Sequence, residues 1–409
     1  MNRGIWLGSS IVLIGALLDE PGLVLVGAFA VLAAALTGGW AGRGVRDLHY
    51  RRELGAHRAL WGDRVPLAVE LWNRKFLPVL RVTTNDRVTE GLVLAERALE
   101  PTGDGEAILQ NVWSLLWYEK VVRHFQVLAD HRGVFRFGRI ELAVSDVFGH
   151  GLAGAVQTRP ARLVVLPRAV PVRHAFAARA PFGSTRSRSG LFQDPASFAG
   201  VRSYQQGDSA RQRHWRASAR LGKPVTKRFE FVHDRTIIVV VDGQTVESPH
   251  WLPDVDTEVL EMVAVAAMSL ARHVLADGRA CGVASAIRSS IHRDIDYLPP
   301  RTGPGQIGRI GETLASMGQN VSAPFSGLIA ALPARVPSGV TLVTVSARLP
   351  DSYLRTLVGL RRGGFMVEHV ALGEGAAISA HRLRAAGIVA SEARLDPDWR
   401  NADALIMAG

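Results

Sequence analysis

Thr236-Ile237-Ile238-Val239-Val240-Val241 is an unbroken run of β-branched residues that leads into Asp242-Gly243-Gln244. A strand apolar on both faces has to be covered on both, the condition of a parallel sheet flanked by helices. The downstream sequence keeps that rhythm. Val255 to Leu275 predicts a long amphipathic helix, Ala280 to Ile287 a second strand and Ile291 to Leu298 an antiparallel edge strand. Gln306 to Met317 reads as a helix, Val340 to Val345 as a buried strand and Asp351 to Arg362 as a helix opened by an acid. Phe365 to Leu372 is a strand, Ala376 to Ala386 a helix and Ile388-Val389 a last short strand. Strands separated by crossover helices predict a doubly wound α/β domain over residues 236–409.

Upstream, residues 168–235 form a basic connector. Between 171 and 228 twelve basic residues face only Asp194 and Asp208. Nearly all of the protein's net charge of +11 lies there, so an external anion or acidic partner is favoured. Before the connector the period is two. Val65, Leu67, Val69 and Leu71 alternate with other residues, and further short strands run from Val79, from Val88 to Leu94, from Val121 to Val127, from Val134 to Phe137, from Ile140 to Val144 and from Arg162 to Leu166. Turn signals between them predict a small β-sandwich over 59–167. Residues 43–58 are a basic juxtamembrane segment, suited either to anionic headgroups or to a solvated linker.

The first 42 residues predict a transmembrane helical hairpin. Residues 4–18 and 23–42 carry no charge, and Asp19-Glu20-Pro21-Gly22 separates them. At 1.5 Å per residue the second span reaches ~30 Å, enough for the hydrocarbon core, and the first ~22 Å. Arg3 precedes the pair, and Arg43, Arg46, Arg51 and Arg52 follow it, while the turn is acidic. The positive-inside rule then puts both termini and the folded domains in the cytoplasm, at the inner membrane. Gly27, Ala30, Ala34, Gly38 and Ala41 permit close helix contact. A cleaved signal peptide is the alternative, with Ala28-Phe29-Ala30 as a cleavage-like site.

Length and composition agree with several domains. The chain has 409 residues, 47% hydrophobic and 21% charged, which excludes disorder. Its single cysteine, Cys281, excludes an internal disulfide framework and any multi-cysteine metal site. Cys281 falls in a predicted buried strand and reads as a small core residue. Gly303-Pro304-Gly305-Gln306-Ile307-Gly308 lacks the Gly-Lys-Ser/Thr ending of a phosphate loop, and no His-Glu-x-x-His or Gly-x-Ser-x-Gly occurs. No catalytic residue, metal site or cofactor is therefore assigned, and the chain reads as a non-enzyme.

The connector holds the most specific pattern. Arg202, Tyr204, Gly207, Asp208, Arg211, Trp215 and Arg220 fall at fixed spacing within Val201–Arg220. Gly207 suits a tight turn, Asp208 a cap or a pair with Arg211, and Trp215 and Tyr204 apolar anchoring. The element either docks the two domains together or faces a partner. This segment resembles the hallmark of domain-of-unknown-function (DUF) family 58. A second piece, Arg132-Gly133-Val134-Phe135 through Asp146-Val147-Phe148-Gly149, is similar to the family's strand pair, with Val147 where proline is usual. The resemblance implies two membrane spans, a β-domain and a von Willebrand factor type A-like α/β domain. It also implies a MoxR-type AAA+ ATPase as partner, in assembly or maturation of client proteins, with no agreed biochemical activity. The von Willebrand factor A fold often carries a metal site built on Asp-x-Ser-x-Ser. Here Asp242 remains, but Gln244 and Val246 hold the serine positions and Arg348 follows the later strand, so Asp242 reads as the remnant of a degraded site. The expected function is that of a membrane-anchored interaction or adaptor protein. The alternative is binding of anionic lipid or nucleic acid through the connector. The connector lacks the interleaved aromatics of a nucleic-acid stacking platform.

Overall fold

The computed structural model describes residues 3–145, 153–174, 198–204, 214–229, 236–246, 255–285, 296–317, 324–336, 340–395 and 399–408. The chain divides into two compact units, Met1–Leu166 and Pro167–Gly409.

The first unit opens with two helices, α1 (Arg3–Leu17) and α2 (Pro21–Gly44). Asp19 adopts a left-handed conformation at φ 54°, and Pro21 opens α2, so the chain reverses instead of continuing one helix. The two helices touch through glycine. A Cβ added to Gly27 would lie 2.6 Å from the Val12 nitrogen, and one added to Gly8 would lie 2.8 Å from the Val31 nitrogen. The apolar side chains of Leu7, Leu13, Leu17, Leu25 and Phe29 point outward and are exposed. Among the described residues one helix of at least 18 residues is apolar enough to cross a membrane, Thr257–Ala276, and 67% of its most apolar stretch is buried in the fold. Ile5–Leu17 and Pro21–Leu32 are shorter apolar helical stretches.

Among the described residues ten strands follow: β1 (Leu48–Leu54), β2 (Arg58–Leu60), β3 (Arg64–Asn73), β4 (Val79–Thr89), β5 (Val93–Leu94), β6 (Glu100–Pro101), β7 (Glu106–Leu115), β8 (Lys120–Leu128), β9 (Gly133–Val144) and β10 (Ala153–Leu166). They form one sheet in the order β1-β3-β8-β5 and another in the order β2-β10-β9-β4-β7-β6. Tyr50, Leu67 and Leu71 from the first sheet share an apolar core with Trp113, Phe137, Ile140 and Leu142 from the second. Strict alternation explains this: in β3 every second residue is buried. Two differences from the sequence reading stand out. The stretch 43–58, expected as a juxtamembrane segment or linker, supplies β1, which pairs antiparallel with β3 along its whole length. β7 was not expected as a strand, although Ala107, Leu109, Trp113 and Leu115 all reach the core.

The second unit contains β11 (Val172–His174), β12 (Phe198–Ser203), α3 (Trp215–Leu221), β13 (Val225–Phe229), β14 (Thr236–Val241), α4 (Thr257–Ala276), β15 (Ala280–Ser285), β16 (Asp296–Arg301), α5 (Pro304–Ala315), α6 (Phe325–Ala331), β17 (Thr341–Ser346), α7 (Asp351–Arg362), β18 (Met366–Ala371), α8 (Ala376–Ala385), β19 (Val389–Arg394) and β20 (Leu405–Ala408). Eight strands make one sheet in the order β11-β20-β19-β18-β17-β14-β15-β16. β14 runs parallel to β15 and β17, and β18 runs parallel to β17 and β19. All six residues of β14 are buried, as its continuous β-branched run requires, and so are all six of β17, whose Thr341, Thr344 and Ser346 interrupt its apolar residues. Ile238, Val240 and Leu342 pack with Phe325, Leu328, Leu357 and Leu383 of the flanking helices.

From β14 the chain steps to β15 on one side, and later to β17 on the other. The carboxyl ends of β14 and β17 therefore border the point where strand order reverses, the usual place for a binding crevice in such sheets. The edge strand expected over Ile291–Leu298 lies at Asp296–Arg301, and residues 286–295 fall outside the described segments. β11 belongs to this sheet, although its residues were assigned to the connector. It pairs parallel with β20.

Candidate functional site

Two parts of the second unit carry the residues singled out by sequence. The first is the β12–β13 hairpin with α3. Arg202 pairs through its backbone with Thr226, and Ser203 with Val225. Tyr204 donates its amide to the Pro224 carbonyl at 3.1 Å. The His214 amide reaches the Val225 carbonyl at 3.0 Å, and the His214 ring Nδ1 accepts from the Ala217 amide at 3.1 Å, so His214 caps α3. Ser218 Oγ accepts from the Val225 amide at 3.0 Å. Gly222, at φ 64°, closes the helix in the left-handed conformation that glycine adopts without strain. These bonds tie α3 to the hairpin, yet none of its residues is buried.

Trp215 is 67% exposed. The sequence reading made it an apolar anchor; the structure places the ring on the surface. Arg216, Arg220 and Lys223, on the same helix and the turn after it, are exposed as well. Of the expected motif residues, the structure brings Tyr204, Trp215 and Arg220 onto this one hairpin-helix element, with the Arg202 backbone in its ladder. Gly207, Asp208 and Arg211 lie outside the described residues.

The second part is the crevice at the ends of β14 and β17. Asp242 follows β14 directly and is buried. Its amide donates to the Val345 carbonyl at 2.9 Å, and its Oδ1 accepts from the Gln244 amide at 3.0 Å. Oδ2 is buried without a hydrogen-bond partner. Burial pushes the carboxyl up to about 7, opposed by the Gln244 amide, the Arg348 charge and the nearby Tyr353 hydroxyl.

Arg348 bridges the two loops. Its Nε donates to the Gln244 carbonyl at 3.1 Å, and one terminal nitrogen donates to the Val246 carbonyl at 3.2 Å. The other donates to Gln244 Oε1 at 2.6 Å and to the Tyr353 hydroxyl at 2.8 Å. Tyr353 in turn donates to Gln244 Oε1 at 2.8 Å and packs edge-on against Phe325. Burial raises the tyrosine hydroxyl above its ordinary value, so it stays protonated as a donor.

Behind Arg348, Ser346 Oγ donates to the Arg348 carbonyl at 2.6 Å. His369, on β18, is fully buried, and burial lowers its ring to about 4, so it is neutral near pH 7. Thr344 Oγ1 lies 2.7 Å from His369 Nδ1 and donates to the Glu368 carbonyl at 3.2 Å. The 2.7 Å contact ties the neutral ring to Thr344, with donor and acceptor set by the ring tautomer.

The donors at this edge do not fit a divalent cation. Among the described residues, Asp242 is the carboxylate that directly follows β14. Thr245 Oγ1 accepts from the Asp256 amide at 2.5 Å, and the Arg348 guanidinium places a positive charge among the loop carbonyls. Among the described residues no group of three or more His, Cys, Asp or Glu side chains is placed to hold a metal ion. Cys281 lies buried on β15, and burial pushes its thiol up to about 12, which suits a core residue. Sequence reasoning named Asp242 and Arg348 but missed Tyr353 and His369. Tyr353 has a local signal, as the first inward-facing residue of α7. His369 has none, because a histidine in an apolar strand declares no partner.

Comparison with known proteins places these two parts in one region. Residues 200–357 match the family model "Protein of unknown function DUF58". That range takes in the hairpin, α3 and the crevice as far as Tyr353. The chain is similar to the uncharacterised protein YeaD of Bacillus subtilis, 24% identical over 243 residues, which is 59% of this chain and 56% of that protein. It thus spans little more than half the length of this curated relative. Among solved structures it is similar to the CARDB domain of a Pyrococcus furiosus protein, at 13% identity over 29% of this chain and 88% of the other, with a TM-score of 0.20. It is also similar to the sporulation control protein Spo0M of Bacillus subtilis, at 9% identity over 30% and 50%, with a TM-score of 0.19. The match to the DUF58 model, over residues 200–357, covers both candidate parts.

Proposed function

We propose that this chain is a membrane-anchored interaction protein with no catalysis of its own. Its α1–α2 hairpin holds the two folded units at the cytoplasmic face of the inner membrane. In this reading the first unit is a β-sandwich and the second a von Willebrand factor A-like module. The module recognises a MoxR-type AAA+ ATPase and passes client proteins to it for assembly or maturation. One observation carries the recognition role: α3 buries no residue and presents Trp215, 67% exposed, with Arg216, Arg220 and Lys223 inside the DUF58 region. An exposed tryptophan on a short element that also exposes arginine has the composition of an interface hot spot. The outward-facing leucines of the hairpin support the membrane anchor, since a water-facing helix pair would not leave them uncovered.

The test is affinity capture of the full chain from detergent-solubilised membranes with nucleotide present. Recovery of an AAA+ ATPase with the parent, and its loss with Trp215→Ala, supports the reading. Equal recovery with both proteins moves the interface away from α3, and no ATPase with either removes the partner.

A further inference from the structure

The first unit carries a second surface feature, at the end where α2 enters the β-domain. The β3–β4 turn and the β7–β8 turn lie side by side. Tyr118 donates its amide to the Lys75 carbonyl at 3.1 Å, and Asn73 donates its amide to the Glu119 carbonyl at 2.8 Å. The buried Asn73 side chain bonds the Leu77 and Leu116 carbonyls at 2.9 and 2.7 Å, so both turns are held rigidly. On that fixed base Phe76 and Trp117 stack with ring centroids 5.9 Å apart, and they are 73% and 55% exposed. Leu116 and Tyr118 are exposed beside them. Aromatic rings of this size ordinarily go inward or to an interface.

The same tip is bonded to the exit of α2. Lys75 Nζ donates to the Arg46 carbonyl at 2.6 Å, and the Arg74 amide donates to the Asp47 carbonyl at 3.0 Å. α2 itself is seated on the β-domain: a Cβ added to Gly44 would lie 2.9 Å from Val144 Cγ1, and Val45 packs on the core. Three residues separate the helix end from β1, a reach of about 10 Å at most. α2 has 24 residues and is ~36 Å long, about 6 Å more than the hydrocarbon core, so its last turn would stand among the headgroups. Arg46 and Arg74 are exposed beside the tip, Arg43 is exposed in the last turn of α2, and Lys75 is half-buried, against Asp47 and Glu119.

We infer that the Phe76–Leu116–Trp117–Tyr118 tip is an interfacial anchor that inserts into the anionic headgroup layer of the membrane holding the hairpin. This rests on the hairpin reading proposed above. Aromatic rings are favoured at that depth, and the surrounding basic groups complement anionic lipid. The anchor would fix the angle at which the β-domain stands on the bilayer.

The test reconstitutes the full chain in vesicles of phosphatidylcholine with phosphatidylglycerol. In a Cys281→Ala background, Phe76→Cys or, separately, Trp117→Cys carries an environment-sensitive fluorophore. Asp104→Cys, at the far end of β7, is the control. Emission at 76 and 117 should shift to the blue and be lost to doxyl-labelled lipid, with neither change at 104. Quenching should weaken when phosphatidylglycerol is left out, and unchanged quenching contradicts the choice of anionic headgroups. If the protein resists carbonate extraction but 76 and 117 behave like 104, the anchor is disproved while the hairpin stands. If carbonate releases the parent protein, the hairpin reading fails and the anchor with it. A blue shift that grows with protein density and ignores doxyl lipid assigns the tip to a second copy, and also overturns the inference.

Discussion

Asp86 and Asp242 are buried carboxylates, one in each unit, with opposite surroundings. Asp86, on β4, forms an ion pair with the equally buried Arg52 of β1 and accepts from the Tyr50 hydroxyl at 2.8 Å. Arg52 also stacks over the Phe137 ring at 4.8 Å. Burial raises the Asp86 carboxyl, and Arg52 and Tyr50 pull it back. At Asp242 the nearest guanidinium is engaged by neutral acceptors instead, and Oδ2 is left without a partner. The first arrangement matches charge to charge and locks β1 across the core onto the second sheet. The second leaves an acid that changes protonation near neutral pH, at a crevice the family match includes. A charge-matched pair makes structure, whereas an acid without a matching charge makes a responsive edge.

The largest effect should come from breaking the matched pair. Asp86→Ala removes the buried carboxylate that neutralises Arg52, and should cost about 3–5 kcal/mol. Urea unfolding of the detergent-solubilised chain measures it. A loss under about 1 kcal/mol would mean that water reaches the pair, and would erase the contrast. The double variant Arg52→Met, Asp86→Leu should recover most of the loss, because it removes both charges together.

Asp242 should give the next largest effect, with a pH signature. Its folded value of about 7 lies above the ordinary 3.8, so the native state holds the proton more tightly than the unfolded chain. That contribution is fully present below pH 3.8 and is lost as pH rises to about 7. Asp242→Asn should therefore stabilise the protein at pH 8, by up to about 4 kcal/mol, and gain much less at pH 4. His369 works the other way. Its folded value of about 4 lies below 6.5, so its contribution is present above pH 6.5 and is lost as pH falls to about 4. In Asp242→Asn the stability should rise with pH across that window, where the parent is flatter. Stability profiles of the two proteins from pH 4 to 8 check both signs.

Arg348→Ala should cost about 1–3 kcal/mol, because Gln244 and Tyr353 lose a shared donor. It should also raise the Asp242 carboxyl further, visible as an upward shift of the pH midpoint. Trp215→Ala should change stability by no more than ~0.5 kcal/mol, since its ring is on the surface. A larger loss would return Trp215 to the anchoring role read from sequence.

Much of the second unit was legible, because its signals are local. The helix expected at Asp351–Arg362 matches α7 end to end, and the apolar run 236–241 is β14. β1 was hidden by its own chemistry. Leu48, Tyr50, Arg52 and Leu54 form its inward face, and an arginine there reads as solvated until Asp86, far along the chain, is seen to pair with it. β7 was obscured by Asn111, a buried polar residue in the middle of its apolar alternation. β11 and β20 pair across more than two hundred residues, which no local pattern announces. At the candidate site the strand end at Asp242 could be read from the run before it. The Gln244–Arg348–Tyr353 bridge could not, because it joins loops about a hundred residues apart.

The central claim is that α3 is a recognition surface on a membrane-held body. A photo-crosslinking amino acid placed at Trp215, with Asp104 as control, tests it most directly in intact membranes. The account predicts a nucleotide-dependent adduct with an AAA+ ATPase from position 215 and none from 104. Adducts equal at both positions, or none at 215 while the chain is membrane-bound, would contradict it.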